Sequence, residues 1–574
     1  MSISPEQRHK FMHYKFTFTN PNTHFIEISL QIESKTANTV LRLPSWRPGR
    51  YQVQNFAKNV KDVRAYNSTG NLIDIKKISK DAWKLDNQPG PITISYRYYA
   101  FVMDAGNSWL DDEQLYINFI NCAMYAEELM QEPCLVSLDI PGHYQIATGL
   151  KTENNGAFSA PSYYQLVDSP LIASPTLRKI SYIVEQHLFN VWIQGDLPKT
   201  DEEVIKDFKP FTELQMKVMG GFPCEEYHFL FQCLPYKHYH GVEHWNSTVI
   251  TMGPSEELKE RALYKEFLGV SSHELFHTWN VIRLRPEEMM PYDFQSENYH
   301  ETGFVTEGVT TYYGDLFLAR CGVFDRTEYL AELNKLLKRH YDNEGRKHYS
   351  VAASSYDLWL DGYERGIPGR KVSIYNEGAL AALILDLKIR LKTDSAQSLD
   401  DVMRLMWQRH GKNLKGYSYH DYQRAAETIY GESLADYFDQ IISGTKGYES
   451  ELEHLLASFG LKFELKASVK PEEASFGIRL IKHEERFFVD QIATGSAAEK
   501  VLSAKDEILT ANAVAFDGTW PERDEVTLEL NRFGRKLSFT LIKEQQIHFP
   551  IYQVAFCEDA TDKDKENLEK WIGV

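Results

Sequence analysis

The chain has 574 residues, which at one domain per roughly 150 residues predicts three or four domains rather than a single core. Its composition, 43% hydrophobic, 13% aromatic and 25% charged, is typical of a globular protein and excludes a disordered or fibrous one. The formal net charge of −18 and the lack of a Lys/Arg-rich block argue against nucleic acid as a partner.

The cysteines and the apolar runs indicate the compartment. Six cysteines are scattered without C-x-x-C spacing, so neither a disulfide framework nor a thiolate zinc site is predicted. The longest apolar run, "ALAALIL" at 379–385, is far too short to span a bilayer, and the start of the chain lacks the apolar segment of a secretory leader. We expect a cytoplasmic protein without a membrane span, or a periplasmic one if a leader has been removed.

The first part of the chain is predicted to be β-rich. From about residue 14 to 182 apolar and polar residues alternate with period two, as in "HFIEISLQIE", and turn clusters such as "NSTGN" separate the runs. We assign residues 1–185 to this domain. Two more strands are predicted at 226–234 and 244–252, joined by "PYKHYHGVE", which would place a small sheet beside the part that follows.

The second half changes to helical spacing and then back to strands. Residues 255 to 456 carry helical apolar patterns such as "GALAALILDLKIRLK", and we assign 186–460 to a mainly helical domain. After the polar stretch "FELKASVKPEEAS", residues 470–545 read as a compact block of strands with one short helix, and 546–574 as a C-terminal tail. The chain is therefore predicted to be a multidomain α+β protein.

The stretch "HELFH" carries the chemistry. His273 and His277 are four residues apart on a predicted helix, so both rings can reach one ion from the same face. Glu274 then lies beside the metal, which is the geometry of zinc peptidases with a glutamate as general base. The alternative is an exposed helix carrying two surface histidines.

A catalytic zinc needs a third protein ligand and one open position. Glu307, 30 residues after His277, begins a strongly apolar helix in "FVTEGVTTYYGD", where an unpaired carboxylate would be costly unless it bound a metal. A set of two histidines and one glutamate favours zinc, although other divalent ions also fit such ligands.

Several motifs together resemble the glycyl aminopeptidases, zinc peptidases of the gluzincin group. The segments are "LPSWRPGRYQVQNFAKNV", "GVEHWNS", "HELFHTWNVIRLRP", "GFVTEGVTTYYGDL", "VSIYNEGALAALILDL" and the last block of strands. The resemblance implies an N-terminal β domain, a thermolysin-like catalytic domain over 186–460 and a PDZ domain over 470–545. It also implies one Zn²⁺ ion held by His273, His277 and Glu307.

The resemblance implies three further roles. Glu274 matches the general base, and Tyr375 in "IYNEGA" matches the tyrosine that donates a hydrogen bond to the tetrahedral oxyanion. Glu243 in "GVEH" matches the glutamate that binds the free α-amino group of the substrate. We therefore expect an aminopeptidase acting on peptides with small first residues, Gly or Ala, and a PDZ domain that could bind a peptide C-terminus.

Two other functions remain open. One is a zinc endopeptidase whose PDZ domain presents substrate C-termini, and the other is a peptide-binding scaffold with a vestigial site. The sequence does not distinguish a PDZ domain that binds peptide from one that regulates the cleft.

Overall fold

The computed structural model of the chain describes residues 11–364 and 366–573. The first ten residues of the predicted β-rich domain and the last residue of the predicted tail lie outside these ranges. Within them the protein is a multidomain α+β structure with a large β-rich N-terminal region followed by a mainly helical part, as the sequence patterns predict.

The N-terminal region consists of three sheets. The largest has the order β14-β15-β12-β1-β2-β8-β4-β5, and two four-stranded sheets have the orders β13-β16-β10-β9 and β11-β3-β7-β6. The period-two alternation in β2 and β8 places Ile26, Ile28, Leu30, Ile92 and Ile94 in the core. The strands are β1 (Met12–Thr17), β2 (Phe25–Ser34), β3 (Val40–Arg42), β4 (Val60–Asn67), β5 (Leu72–Ile73), β6 (Ile75–Ser79), β7 (Ala82–Leu85), β8 (Gly90–Tyr99), β9 (Trp109–Leu110), β10 (Leu115–Ile117), β11 (Tyr125–Ala126), β12 (Cys134–Asp139), β13 (Gln145–Thr148), β14 (Lys151–Thr152), β15 (Phe158–Ala160) and β16 (Leu171–Ser174).

A five-stranded sheet joins this region to the helices. Its order is β17-β18-β19-β21-β20, with β18, β19 and β21 parallel and β20 antiparallel at the edge. The strands are β17 (Arg178–Val184), β18 (His187–Gly195), β19 (Glu226–Cys233), β20 (His238–His244) and β21 (Ser247–Gly253).

This sheet adds detail that the sequence did not predict. Strand β17, which lies within residues 1–185, pairs with β18, because a period-two pattern does not tell which sheet a strand joins. The segment predicted to join two strands contains a third strand, β20, whose glycine and histidines weaken its strand signal.

The helical part covers the sheet and follows from local signals. Capping boxes begin two of its long helices, with Thr200 and Glu203 before α3 and Asp325 and Glu328 before α6. Helix α9 is apolar on most faces and is buried on most of its length. The helices, in chain order and including two short ones of the N-terminal region, are α1 (Phe119–Cys122), α2 (Tyr163–Val167), α3 (Asp201–Met219), α4 (Arg261–Phe276), α5 (Thr310–Arg320), α6 (Arg326–Asp342), α7 (Val351–Tyr356), α8 (Leu358–Asp361), α9 (Ile374–Lys392), α10 (Leu399–Arg409), α11 (Tyr419–Tyr430), α12 (Ala435–Tyr437) and α13 (Glu449–Ala457).

The C-terminal part forms two units. A sheet of the order β23-β24-β25-β27-β28, with β26 paired to β25, has its own apolar core. Its strands, with the strand and helix that precede it, are β22 (Leu461–Lys466), α14 (Pro471–Ala474), β23 (Ile478–His483), β24 (Arg486–Ile492), β25 (Glu507–Ala511), β26 (Val514–Ala515), β27 (Glu525–Arg532) and β28 (Arg535–Ile542).

The predicted tail is not a free extension. Strand β29 (Ile551–Phe556) pairs with β22, whose residues 463–466 belong to the polar stretch that precedes the last block of strands. Helix α15 (Asp562–Ile572) packs on the helical part through Trp571, which is fully buried and donates a hydrogen bond to the hydroxyl of Tyr312 at 2.8 Å. Because most residues of this helix are charged, its few buried apolar positions are not evident from the sequence.

Among the described residues no helix is both long and apolar enough to cross a membrane.

Candidate metal centre and active site

Two histidine rings face each other at the end of α4. Helix α4 ends at Phe276 with His277 as its C-cap, and the Nε2 atoms of His273 and His277 are 3.0 Å apart. Nδ1 of His277 lies 2.8 Å from the carbonyl oxygen of Asn280. Because a carbonyl only accepts, Nδ1 carries the hydrogen and Nε2 presents its lone pair to the site.

Glu307 completes this cluster from a π-helical turn. The turn spans Phe304–Val309, directly before α5, where the sequence predicted an ordinary helix start. Oε2 of Glu307 lies 3.3 Å from Nε2 of His277 and 3.9 Å from Nε2 of His273. The side-chain amide of Asn280 donates to the carbonyls of Val305 and Thr306 at 2.8 and 3.3 Å, so Asn280 fixes both the histidine and the turn that carries the glutamate.

The three residues fit a zinc ion. Bonds of about 2.0–2.1 Å in a tetrahedron place ligand atoms about 3.3 Å apart, close to the spacings found here. Burial alone would lower the pKa of His277, but the carboxylates of Glu307, Glu243 and Glu274 raise it to about 10, so a proton competes with a metal ion for the lone pair of Nε2. A site this rich in negative charge favours a cation.

A tyrosine from the N-terminal region supports Glu307. The hydroxyl of Tyr51 donates to Oε1 of Glu307 at 3.4 Å, on the oxygen that does not face the histidines. Tyr51 is 1% exposed, and burial raises the pKa of its phenol well above the ordinary value. The sequence analysis missed this residue, although it lies in the quoted segment "GRYQVQNF".

Glu274 lies against the edge strand of the five-stranded sheet. Its side chain is 4% exposed and Oε2 accepts a hydrogen bond from the hydroxyl of Thr248 at 3.4 Å. A Cβ added to Gly241 on β20 would lie 2.2 Å from Oε1, so only glycine leaves room for this carboxylate. Burial raises the pKa of Glu274 well above its ordinary range.

Glu243, on the same edge strand, reaches the same site. It is 5% exposed, and among the described residues its Oε1 has no hydrogen-bond partner. Its carboxylate, that of Glu274 and a ring nitrogen of His277 offer ligand atoms within 4.8 Å of one another. Gly49 of the N-terminal region, at φ +73°, covers it so closely that a Cβ there would be 2.7 Å from Oε2. Burial raises the pKa of Glu243 as well.

Tyr375 stands at the start of α9. Two glycines let this helix approach the turn of Glu307, since a Cβ on Gly308 would lie 2.3 Å from Cα of Gly378. The hydroxyl of Tyr375 is 3.5 Å from that of Tyr363, which accepts a hydrogen bond from the backbone N–H of Tyr51 at 3.4 Å. Burial, with Glu307 next, raises the pKa of Tyr375 well above its ordinary value, so the phenol stays protonated and able to donate.

A large cavity borders Glu243 on the side of the N-terminal region. Its volume is about 550 Å³, and it lies between α1 and α2 on one side and the segment after α4 on the other. Glu243, His244 and Trp245 form part of its wall. No sequence signal pointed to it, because its wall comes from distant parts of the chain.

The structure thus brings together all six predicted site residues, His273, Glu274, His277, Glu307, Glu243 and Tyr375, whose roles stay predictions. It adds Tyr51, Tyr363, Thr248 and Asn280, which the sequence analysis did not single out. Of these only Tyr51 and Asn280 lie in segments that had been quoted for the resemblance.

Two models of one family match the chain. Residues 13–175 match the N-terminal domain of peptidase M61, and residues 266–381 match the M61 glycyl aminopeptidase domain, a range that includes Tyr375 but not Glu243. The crystal structure of an aminopeptidase N family protein from Idiomarina loihiensis is 25% identical, with a TM-score of 0.90 and coverage of 98% of this chain and 100% of that chain. An M1 zinc metallopeptidase from Deinococcus radiodurans is 14% identical, with a TM-score of 0.45 and coverage of 75% and 93%. No curated protein matches the sequence.

Proposed function

The chain carries the N-terminal and catalytic domains of the M61 glycyl aminopeptidases and is a metallopeptidase, and from this premise we propose that it is a zinc-dependent aminopeptidase. It would remove the first residue of peptides with one Zn²⁺ ion held by His273, His277 and Glu307. The spacing of their donor atoms supports a single tetrahedral ion.

The observation that carries the proposal is the position of Glu243. A buried carboxylate with an unpartnered oxygen is costly, and an α-ammonium group would supply both the opposite charge and the hydrogen bonds. Because this carboxylate lies within 4.8 Å of ligand atoms of Glu274 and His277, only one residue fits between the bound amine and the reacting carbonyl. This favours cleavage after the first residue over internal cleavage.

Each residue of the site would have a separate role in peptide hydrolysis. Bound zinc supplies a positive charge that lowers the pKa of a water and polarises a carbonyl. Glu274 takes a proton from the attacking water and passes it to the leaving amine. The protonated Tyr375 donates a hydrogen bond where negative charge develops on the carbonyl oxygen, and Tyr51 holds Glu307 in place.

The Glu274→Gln variant tests the mechanism. We expect it to retain about one zinc per chain and to lose roughly 10²–10⁴ of kcat, because the amide cannot take up the proton. Zinc is measured by elemental analysis and turnover with aminoacyl amides, and Glu266→Gln, on an exposed position of the same helix, is the control. Turnover near that of the wild type would disprove the role of Glu274.

A pair of peptides distinguishes the remaining functions. We expect a peptide with a free α-amino group to be cleaved and its acetylated form to resist. Equal cleavage of both would favour an endopeptidase and remove the role of Glu243. Sub-stoichiometric zinc without any hydrolysis would instead favour the scaffold.

We further propose that the helical part is thermolysin-like and that residues 470–545 are a PDZ-like domain able to bind a peptide C-terminus. Lys505 and Ala513, which replace glycines usual in PDZ domains, have φ of +69° and +62°, so the backbone keeps a glycine-like conformation there. The segment "FGIR" at 476–479 resembles the carboxylate-binding loop of PDZ domains, and its Gly477 has φ of +70°. The six free cysteines support a reducing compartment, the cytoplasm. Glycine or alanine as the first residue rests on the family resemblance alone.

A further inference from the structure

We propose that the cavity beside Glu243 receives the side chain of the substrate's first residue and selects large apolar or aromatic side chains over glycine. The proposal rests on the proposed function, because it needs the substrate amine at Glu243. It reverses the preference for small residues that the resemblance predicts.

Glu243 lies between the candidate metal centre and the cavity. Its carboxylate lies within 4.8 Å of ligand atoms of Glu274 and His277, and the same residue lines the 550 Å³ cavity. In an α-amino acid the amine and the side chain are bonded to the same carbon. A substrate whose amine binds Glu243 and whose carbonyl lies at the metal therefore carries its side chain next to the cavity. The backbone at Gly49 closes another side of the carboxylate.

The wall of the cavity is mainly apolar. Ile120, Val167, Ile282 and Phe294 line it, and each is at most 3% exposed. The volume is in the range of pockets that bind whole small molecules and far exceeds the space needed for a hydrogen or a methyl group. Glycine would leave it unfilled, whereas a leucine or phenylalanine side chain would remove its apolar surface from water.

Three charged groups of the wall have contacts with neighbouring protein groups. Arg285 donates to the carbonyls of Val281 and Ile282 at 3.3 and 2.8 Å, and its guanidinium lies 3.8 Å from the ring centre of Tyr292. Asp168 lies 3.0 Å from Nδ1 of His244. Arg47 donates to the carbonyl of Pro48 at 3.0 Å. Among the described residues Nε of Arg47 and Nε2 of His244 have no hydrogen-bond partner, so the preference for apolar side chains rests on the apolar lining and the volume of the cavity.

The test compares aminoacyl amides of Gly, Ala, Leu, Phe, Asp and Arg. We expect kcat/KM for Leu and Phe to exceed that for Gly by roughly 10- to 100-fold, from the burial of one large side chain. Filling the cavity with Gln165→Trp, at a half-buried position of α2 in its wall, should reduce this ratio. The matched control is Gln31→Trp, an exposed position on β2.

Competitive inhibition by free L-phenylalanine and glycine gives a second measurement that needs no variant. Phenylalanine should inhibit at least about tenfold more strongly. If no free-amine substrate is cleaved, the proposed function fails and this inference with it. If substrates are cleaved but Gly or Ala, Asp, or Arg is preferred, or if Gln165→Trp slows Gly and Phe equally, only the assignment of the cavity is overturned.

Discussion

Gly241→Ala should disable Glu274 without touching a metal ligand. Gly241 lies on β20, and its backbone φ is outside the left-handed region, so alanine is compatible with the strand itself. The added Cβ would lie 2.2 Å from Oε1 and 2.8 Å from Cδ of Glu274, and 3.0 Å from Cγ2 of Val270. The carboxylate and the strand then have to move apart.

The size of the effect follows from these distances. An ordinary contact begins near 3.4 Å, so the separation between the added Cβ and Oε1 has to grow by about 1.2 Å. Displacement of a reacting group by about 1 Å costs on the order of 10²-fold in rate. Overpacking at the same point should lower the free energy of unfolding by about 1–3 kcal/mol, which leaves a protein of this size folded at room temperature.

The assay is steady-state cleavage of an aminoacyl amide by Gly241→Ala, with zinc content and thermal melting measured on the same preparation. We expect kcat to fall about 10²-fold while zinc stays near one per chain. The matched control is Gly142→Ala, also outside the left-handed region, whose added Cβ meets no atom within 4 Å. A kcat for Gly241→Ala within about threefold of the control would refute the argument that Glu274 needs the space above this glycine.

Three further variants test separate parts of the structure. Tyr51→Phe should weaken zinc binding about tenfold or more, measured by competition with a chelator, because Glu307 loses its supporting hydroxyl; unchanged affinity would exclude this support. Tyr375→Phe should lower kcat by roughly 10²–10³ with little change in KM, and a loss confined to KM would contradict an oxyanion role. Trp571→Ala should lower the free energy of unfolding by about 3–5 kcal/mol, measured in denaturant against the exposed Lys565→Ala; equal stability of the two would mean that α15 contributes nothing to the fold.

The sequence predicted the parts of the site that depend on local spacing. His273 and His277 share a helix face because an α-helix repeats every 3.6 residues. The alternation in the first part of the chain predicted a β-rich region because side chains of a strand alternate between its two faces. The family resemblance added Glu243 and Tyr375. The structure groups His273, His277 and Glu307 and places Glu243 and Glu274 beside His277. The hydroxyl of Tyr375 lies next to that of Tyr363.

The boundaries and the support of the site were harder to predict. The sequence did not show that β17 pairs with β18, and β20 was read as a connection, because a period of two does not identify a strand's neighbours. Part of the polar stretch and part of the predicted tail pair with each other as β22 and β29. Pairing between segments so distant in the chain leaves no local pattern.

The sequence by itself determined the donor set, two histidines and a glutamate beside a second glutamate, since helical spacing and residue chemistry are local properties. Only the tertiary structure decided how the donors are supported and what surrounds them. Tyr51 reaches Glu307 from a position 256 residues earlier, Gly49 covers Glu243, and the cavity beside it lies between two regions of the chain. These features depend on the packing of the β-rich region against the helices. Local sequence patterns do not predict that packing.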